Sequence, residues 1–137
     1  MANYIEMART NYFRVIDEKR YKELFDKLIS EDEVYDFTKV DENGAIWHAF
    51  GSYGYIDYQV TEDDYDRDEF FKEMQKILPD DEALIFMAAG HEKLRYIIGF
   101  SLIVTNKDIQ YINTIDNAID TARVMLQNPG WTTVPDY

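Results

Sequence analysis

The chain has 137 residues, of which 46% are hydrophobic and 15% aromatic, so it is long enough for one ordinary domain and too short for two. It carries 27 acidic against 14 basic residues, a net charge of −13 at pH 7, which opposes direct binding to the phosphates of DNA or RNA. Cysteine is absent, which excludes disulfides and cysteine nucleophiles and favours a cytoplasmic protein. The first residues have no signal-peptide pattern and no long apolar run occurs, so we expect neither secretion nor a membrane span.

The first half of the chain predicts a strand, a helix and three further strands. Polar and apolar residues alternate over residues 10–16, which is typical of a strand. Asp17 is placed to cap a helix over the following turns. Residues 34–40 and 45–50 predict a hairpin around the turn Asn43-Gly44, and residues 55–60 predict a third strand.

The second half predicts two more helices around an apolar hairpin. Asp66 and Glu69 have the spacing of a capping box for a helix that ends at Pro79. Residues 83–89 and 94–105 predict the hairpin, and the second of these runs is apolar on both faces, which is typical of a central strand. A short strand over residues 108–112, a third amphipathic helix over residues 115–126 and an irregular tail over residues 128–137 complete the chain.

These elements predict one α+β domain over residues 1–137. We expect a single, mostly antiparallel sheet of about five to six strands carrying three amphipathic helices. The expected order is β-α-β-β-β-α-β-β-(β)-α.

The densest charge in the chain lies in residues 57–69, the acidic segment, where seven carboxylates accompany one base, Arg67. Such a cluster opposes folding by self-repulsion, so it is either tolerated on the surface for solubility or used to meet a positively charged partner. Tyrosines beside it have the size and amphipathic character of interface anchors. The predicted partner-binding residues are Tyr55, Asp57, Tyr58, Glu62, Asp63, Asp64, Tyr65, Asp66, Asp68 and Glu69. Two shorter acidic runs, residues 31–36 and 80–82, would extend the charged surface.

The acidic segment does not fit a calcium-binding loop. Asp64, Asp66 and Asp68 occupy positions one, three and five of the twelve-residue pattern. Glu69 then stands where glycine makes the turn and Gln75 where a glutamate closes the site. We expect no metal or other cofactor, although weak cation binding without a preformed cage stays open.

The sequence holds no motif that names a reaction. Its glycines form no phosphate-binding loop, and Ser52 and Ser101 lack the context of a nucleophile elbow. His48 is predicted to be a half-buried residue with satisfied hydrogen bonds, and His91 a polar turn residue. A small enzyme that uses His91 and nearby carboxylates remains the alternative.

Three stretches carry a resemblance to a known group of proteins: EMARTNYFRVIDEKRYKELF, WHAFGSYGYIDY and GHEKLRYIIGF. They resemble a family of small acidic accessory proteins of phages and conjugative elements of gut bacteria, a setting that includes antirestriction and anti-CRISPR inhibitors. The likeness spans most of residues 10–126, and no functional residue is carried over from it. The resemblance implies an inhibitor that blocks a host defence enzyme by occupying its nucleic-acid site.

The leading interpretation is therefore a non-enzymatic acidic binding protein or inhibitor. It would present the acidic segment to the basic nucleic-acid-binding surface of another protein, such as a CRISPR effector or a restriction enzyme, without binding nucleic acid or membrane itself. A homodimeric structural module, held by an apolar sheet edge or by the Trp131 tail, is a further alternative, and monomer and homodimer both stay open.

Overall fold

The computed structural model of the chain describes residues 4–133. Within them lie ten strands and three helices. The strands are β1 (Ile5–Thr10), β2 (Leu28–Ser30), β3 (Tyr35–Asp36), β4 (Lys39–Val40), β5 (Ile46–Trp47), β6 (Phe50–Ser52), β7 (Ile56–Tyr58), β8 (Leu84–Glu92), β9 (Arg95–Val104) and β10 (Ile109–Asn113). The helices are α1 (Glu18–Phe25), α2 (Arg67–Gln75) and α3 (Thr114–Leu126).

Six strands form the main sheet, in the order β10-β9-β8-β1-β6-β3, and every neighbouring pair is antiparallel. Two small two-stranded sheets, β2-β7 and β4-β5, complete the β-structure. The α+β prediction of one mostly antiparallel sheet with three helices is confirmed.

The strand predicted over residues 10–16 is wrong in position. β1 ends at Thr10, and beyond it Phe13 makes an isolated bridge with His48. In β1 the side chains that face the core are Glu6, Ala8 and Thr10, while large apolar side chains face outward. Because two of the three inward positions are polar, the alternation of β1 does not have the form that signals a half-buried strand.

The apolar run predicted as a central strand is β9, which lies second from the edge. The centre of the sheet is instead the pair β8 and β1. Strand β9 is apolar on both faces because one face contacts the core and the other contacts α3. A Cβ added at Gly99 would come within 2.8 Å of the Thr114 hydroxyl at the start of that helix.

The helix starts follow the predicted caps in part. The Asp17 carboxylate accepts a hydrogen bond from the Arg20 amide at 2.9 Å, which caps α1. The Asp66 carboxylate caps α2 through the Asp68 amide at 3.0 Å, but Glu69 pairs with a lysine, so the reciprocal half of the predicted capping box is missing. The predicted Asn43-Gly44 turn joins β4 to β5, with Gly44 at φ +83°.

The core lies on one face of the main sheet, under α1, α2 and the β2-β7 sheet. Its centre is a group of phenylalanines from separate elements, with ring contacts such as Phe50 to Phe70 at 5.7 Å and Phe71 to Phe86 at 5.1 Å. On the opposite face, α3 lies against β9 and β10, and none of its residues is buried. Most of that face of β1, β6 and β8 therefore stays open.

None of the described helices is long and apolar enough to cross a bilayer.

Candidate functional site

The middle of the acidic segment, residues 59–66, forms a tight loop between β7 and α2. The Asp64 carbonyl accepts hydrogen bonds from the amides of Val60 at 2.8 Å and Thr61 at 3.2 Å. The Asp66 amide donates to the Tyr58 carbonyl at 2.9 Å, which closes the base of the loop. This backbone framework holds the loop carboxylates together on a short stretch of surface.

Most of the predicted partner-binding residues are exposed. Asp57 and Glu69 are half-buried, and Tyr58 is 4% exposed with its ring 5.6 Å from that of Phe70. Tyr58 is thus part of the core, and its prediction as an interface anchor is wrong, because the alternation of β7 turns Ile56 and Tyr58 inward and Asp57 outward. The exposed members are Tyr55, Glu62, Asp63, Asp64, Tyr65, Asp66 and Asp68.

The single base of the segment, Arg67, points into the protein. Its guanidinium donates to the Glu6 carboxylate at 2.7 Å and to the Ile56 carbonyl at 3.3 Å. It also lies over the rings of Tyr55 at 4.3 Å and Phe86 at 5.1 Å. Glu6 is 3% exposed, so this is a buried ion pair between β1 and the start of α2.

With Arg67 turned inward, the loop carboxylates have no neutralising partner in the part of the chain that the structure describes. Within residues 4–133, Glu62, Asp63, Asp64, Asp66 and Asp68 form no ion pair, whereas Glu69 contacts Lys72 at 3.5 Å. The surface of the acidic segment is therefore more negative than its sequence charge indicates.

The second acidic segment, residues 31–33, lies at the opposite end of β7. Strand β2 pairs with β7 so that Ser30 is opposite Ile56, which places the exposed carboxylates after Ser30 beside the beginning of β7. Asp57, the first residue of the acidic segment, lies on the outer face of β7, opposite the exposed Ile29 and between the loop and residues 31–33. A three-residue strand spans roughly 10 Å, so the acidic segment and residues 31–33 form an elongated acidic ridge.

The third acidic run, residues 80–82, is largely occupied within the protein. The Arg14 guanidinium contacts Glu82 at 2.9 Å and Asp81 at 3.1 Å. The Asp80 carboxylate accepts a hydrogen bond from Asn106. This run ties the chain before β8 to neighbouring elements and adds little free charge to the surface.

His48 is buried and fully hydrogen-bonded, more deeply than predicted. One ring nitrogen lies 2.8 Å from the Glu18 carboxylate and the other 3.0 Å from the Thr38 hydroxyl. The centre of the Tyr21 ring lies 4.0 Å from that of the imidazole, with the two planes tilted by 33°. The buried hydroxyl of Tyr21 has no hydrogen-bond partner among the described residues. These side chains border a surface groove of about 590 Å³.

His91 lies near the end of β8, exposed, and makes no side-chain hydrogen bond or ion pair with any described residue. Among residues 4–133, no carboxylate therefore orients or activates the His91 imidazole.

A metal site is not assembled in the part of the chain that the structure describes. No three His, Asp or Glu side chains among residues 4–133 converge closely enough to hold a metal ion. Asp66, one of the three aspartates with calcium-loop spacing, is occupied as the N-cap of α2.

Sequence reasoning missed Glu6 and the inward role of Arg67. The two residues are 61 positions apart, and no local pattern links them. Glu6, Ala8 and Thr10 alternate with Ile5, Met7 and Arg9, so the sequence around Glu6 does not show which face of the strand is buried.

Comparison of the chain with protein-family models, with curated proteins and with solved structures found no match.

Proposed function

We propose that this chain is a non-enzymatic acidic binding protein that inhibits a nucleic-acid-binding enzyme. Its acidic ridge would occupy the enzyme's basic groove in place of DNA or RNA. The observation that carries the proposal is the free charge of the loop: Glu62, Asp63, Asp64, Asp66 and Asp68 have no ion-pair partner in residues 4–133, while the one nearby base is buried against Glu6.

The shape of the ridge supports this proposal. The carboxylates of the ridge follow strand β7 and the chain at its two ends, so negative charges succeed one another along the surface, as phosphates do along a nucleic-acid strand. A surface of one sign also speeds encounter with a surface of the opposite sign at low salt. Tyr65 is 51% exposed within the loop and offers a large ring to the same partner.

The class of partner follows from the sequence resemblance to accessory proteins of phages and conjugative elements. That resemblance directs the proposal to enzymes of host defence, namely CRISPR effectors and restriction enzymes. Their nucleic-acid grooves carry the lysines and arginines that an acidic ridge requires.

The test is a competition assay on a panel of purified CRISPR effectors and restriction enzymes. Each enzyme is bound to labelled DNA, and the chain is added at increasing concentration. We expect displacement of DNA from at least one enzyme by the parent chain. The loop variant, Glu62→Gln, Asp63→Asn, Asp64→Asn and Asp68→Asn, should displace it at least about tenfold less effectively, a loss of roughly 1.4 kcal/mol.

A matched control distinguishes an effect of the loop carboxylates from an effect of net charge alone. The control variant, Glu23→Gln, Asp26→Asn, Glu42→Gln and Asp120→Asn, removes the same charge from exposed positions on α1 and its C-cap, the β4-β5 turn and α3. Its displacement of DNA should stay close to that of the parent. Equal losses in the two variants would overturn the assignment of the ridge, and failure to displace DNA from every enzyme would overturn the proposed partner class.

A second candidate function rests on His48 instead of His91. The Thr38 hydroxyl, the His48 ring and the Glu18 carboxylate form a continuous hydrogen-bonded chain beside a groove, the arrangement that activates a hydroxyl nucleophile. Three carboxylates (Glu18, Asp26 and Asp36) and two lysines (Lys19 and Lys22) line that groove, and Lys22 is paired with Asp26 at 3.4 Å. The excess of negative charge would disfavour a developing oxyanion, which ranks this function second. Hydrolysis of a nitrophenyl ester that is lost in both Thr38→Ala and His48→Gln would favour it, and absence of hydrolysis by the parent would end it.

A further inference from the structure

The open face of the main sheet holds an apolar groove that is separate from the acidic ridge. It has a volume of about 700 Å³, within the range of small-molecule sites. Its walls come from β1, β3, β6 and β8 and from the chain that follows β3 and β6. The side chains that matter most are Met7, Arg9, Tyr35, Phe37, Tyr53 and Met87.

The groove exists because small residues lie between large ones across the sheet. Gly51 pairs with Arg9 on one neighbouring strand and with Tyr35 on the other. Because glycine has no side chain, a gap remains between the side chains of Arg9 and Tyr35. A Cβ at Gly51 would lie 2.8 Å from the Ala8 carbonyl oxygen, so the strands at this position are too close for any larger residue. In the next row of paired residues, Met7 of β1 lies opposite Ala89 of β8, whose small side chain leaves space above the sheet.

Arg9 is the unusual member of this groove. Each of the other five arginines has a carboxylate within 4 Å: Arg14 with Glu82 at 2.9 Å, Arg20 with Glu73 at 3.3 Å, Arg67 with Glu6 at 2.7 Å, Arg95 with Glu92 at 3.8 Å and Arg123 with Asp120 at 3.5 Å. Arg9 has no carboxylate within that distance among residues 4–133, and its guanidinium lies 4.2 Å from the centre of the Phe37 ring. In a chain with a net charge of −13, a guanidinium left without a carboxylate is available to an anion from outside.

The charges around the groove define an orientation for such an anion. Among the described residues that line it, Arg9 alone is charged. At the Tyr35 side, Asp32 is the main cause that raises the pKa of the tyrosine, with burial and Glu33 adding to it. That rim is therefore negative, and an anionic group is favoured at Arg9 and disfavoured beside Tyr35.

We propose that this groove binds a small aromatic carboxylate, with its carboxylate on Arg9 and its ring system between the aromatic wall and the methionines. Tyr35, Phe37 and Tyr53 offer ring faces and edges, and Met7 and Met87 offer polarisable thioethers that adapt to a flat ligand. A planar guanidinium matches a carboxylate with two parallel hydrogen bonds. None of the predicted partner-binding residues lines this groove, so the proposal stands independently of the proposed function.

The test uses 2-naphthoate as the probe and its neutral analogue 2-naphthamide as the matched ligand. Both are titrated into the full chain while backbone amide shifts are followed by NMR. We expect saturable shifts at Met7, Tyr53 and Met87 with 2-naphthoate, and an affinity for 2-naphthamide that is at least about tenfold lower, since a charge-assisted pair is lost.

Two variants and one control complete the test. Arg9→Met should reduce the affinity for 2-naphthoate to that for 2-naphthamide, whereas Arg95→Met, which removes an exposed arginine from β9, should leave both unchanged. Ala89→Trp fills the groove from an exposed position and should abolish binding of both probes. Equal affinities for the two probes on the parent chain, shifts that lie elsewhere, or unaltered binding by Ala89→Trp would each overturn the proposal. A concentration-dependent dimer that Ala89→Trp dissociates would place a second copy of the chain in the groove and would overturn it as well.

Discussion

The most consequential single residue is Arg67, because its position decides what the acidic segment presents to solvent. In the sequence it reduces the charge of the segment by one, but in the structure it neutralises Glu6 inside the protein. A buried carboxylate requires such a partner, since burial of an unpaired charge costs several kcal/mol. One arginine therefore serves stability and leaves the loop carboxylates free.

The first prediction concerns this ion pair. Arg67→Met should lower the free energy of unfolding by about 3–5 kcal/mol, because Glu6 would stay buried without a cation beside it, and only the Tyr4 hydroxyl, at 3.3 Å, would still donate to it. The double variant Arg67→Met with Glu6→Gln should lose clearly less, since both charges are removed together. Urea unfolding of the parent, the two single variants and the double variant measures the coupling. Additive losses would contradict a direct Glu6–Arg67 pair.

The second prediction concerns Tyr21, whose buried hydroxyl lacks a partner among the described residues. Tyr21→Phe should raise the free energy of unfolding by about 1 kcal/mol at neutral pH, because an unpaired polar group no longer has to be desolvated. A comparable loss of stability in thermal or urea unfolding would instead mean that the hydroxyl is hydrogen-bonded.

Burial of Tyr21 should also make the free energy of unfolding depend on pH in the alkaline range. Burial raises the pKa of Tyr21 above its ordinary value, and burial together with Glu6 raises the pKa of Tyr4 to about 12. An unfolded tyrosine loses its proton near pH 10, so above that pH the unfolded chain is favoured and stability falls as the pH rises toward 12. Urea unfolding between about pH 9 and 11 should show this fall, and Tyr21→Phe should reduce its slope. A slope that is unchanged in Tyr21→Phe would contradict the shifted pKa.

At the scale of elements, the sequence patterns predicted the helices and hairpins that are stabilised by contacts between residues close in sequence. The starts of α1 and α2 were predicted from their capping residues, Asp17 and Asp66. The two hairpins, β4-β5 and β8-β9, were predicted in the right order from the Asn43-Gly44 turn and from two neighbouring apolar runs. The position of β1 was missed because its inward residues include Glu6 and Thr10, whose partners are distant in sequence. The periodicity of a helix also does not reveal how deeply its apolar face is buried, and no side chain of α3 is fully buried.

The third prediction compares α2 with α3. Met74→Ala in α2 removes a fully buried side chain and should lower the free energy of unfolding by about 2–5 kcal/mol. Met125 in α3 is 79% exposed, so Met125→Ala should change it by less than about 0.5 kcal/mol. Urea unfolding at two protein concentrations measures both effects. A large, concentration-dependent loss in Met125→Ala would mean that α3 is buried between two copies of the chain.

At the scale of the whole molecule, the sequence predicted the exposed part of the candidate site because that part is contiguous. Glu62, Asp63, Asp64 and Asp68 lie on one loop, and their exposure follows from local charge density. The ridge formed with residues 31–33 and the groove at Arg9 both depend on strand pairing between distant segments. Such surfaces become visible only when the order and register of the strands are known.

We assign one role, recognition of a basic surface, to Glu62, Asp63, Asp64 and Asp68; Asp66 also caps α2 and is therefore kept in the loop variant. Neutralising these four carboxylates should therefore leave the free energy of unfolding unchanged or slightly higher, because self-repulsion is reduced. The loop variant should thus fold as the parent does.

The most direct measurement is the salt dependence of the dissociation constant for a partner found by DNA competition, taken from about 50 to 200 mM salt. For the parent chain we predict an affinity that falls steeply with salt, and for the loop variant a lower affinity and a clearly flatter dependence, with the control variant close to the parent. Parallel curves for the parent and the loop variant would contradict the claim that the acidic ridge binds the partner.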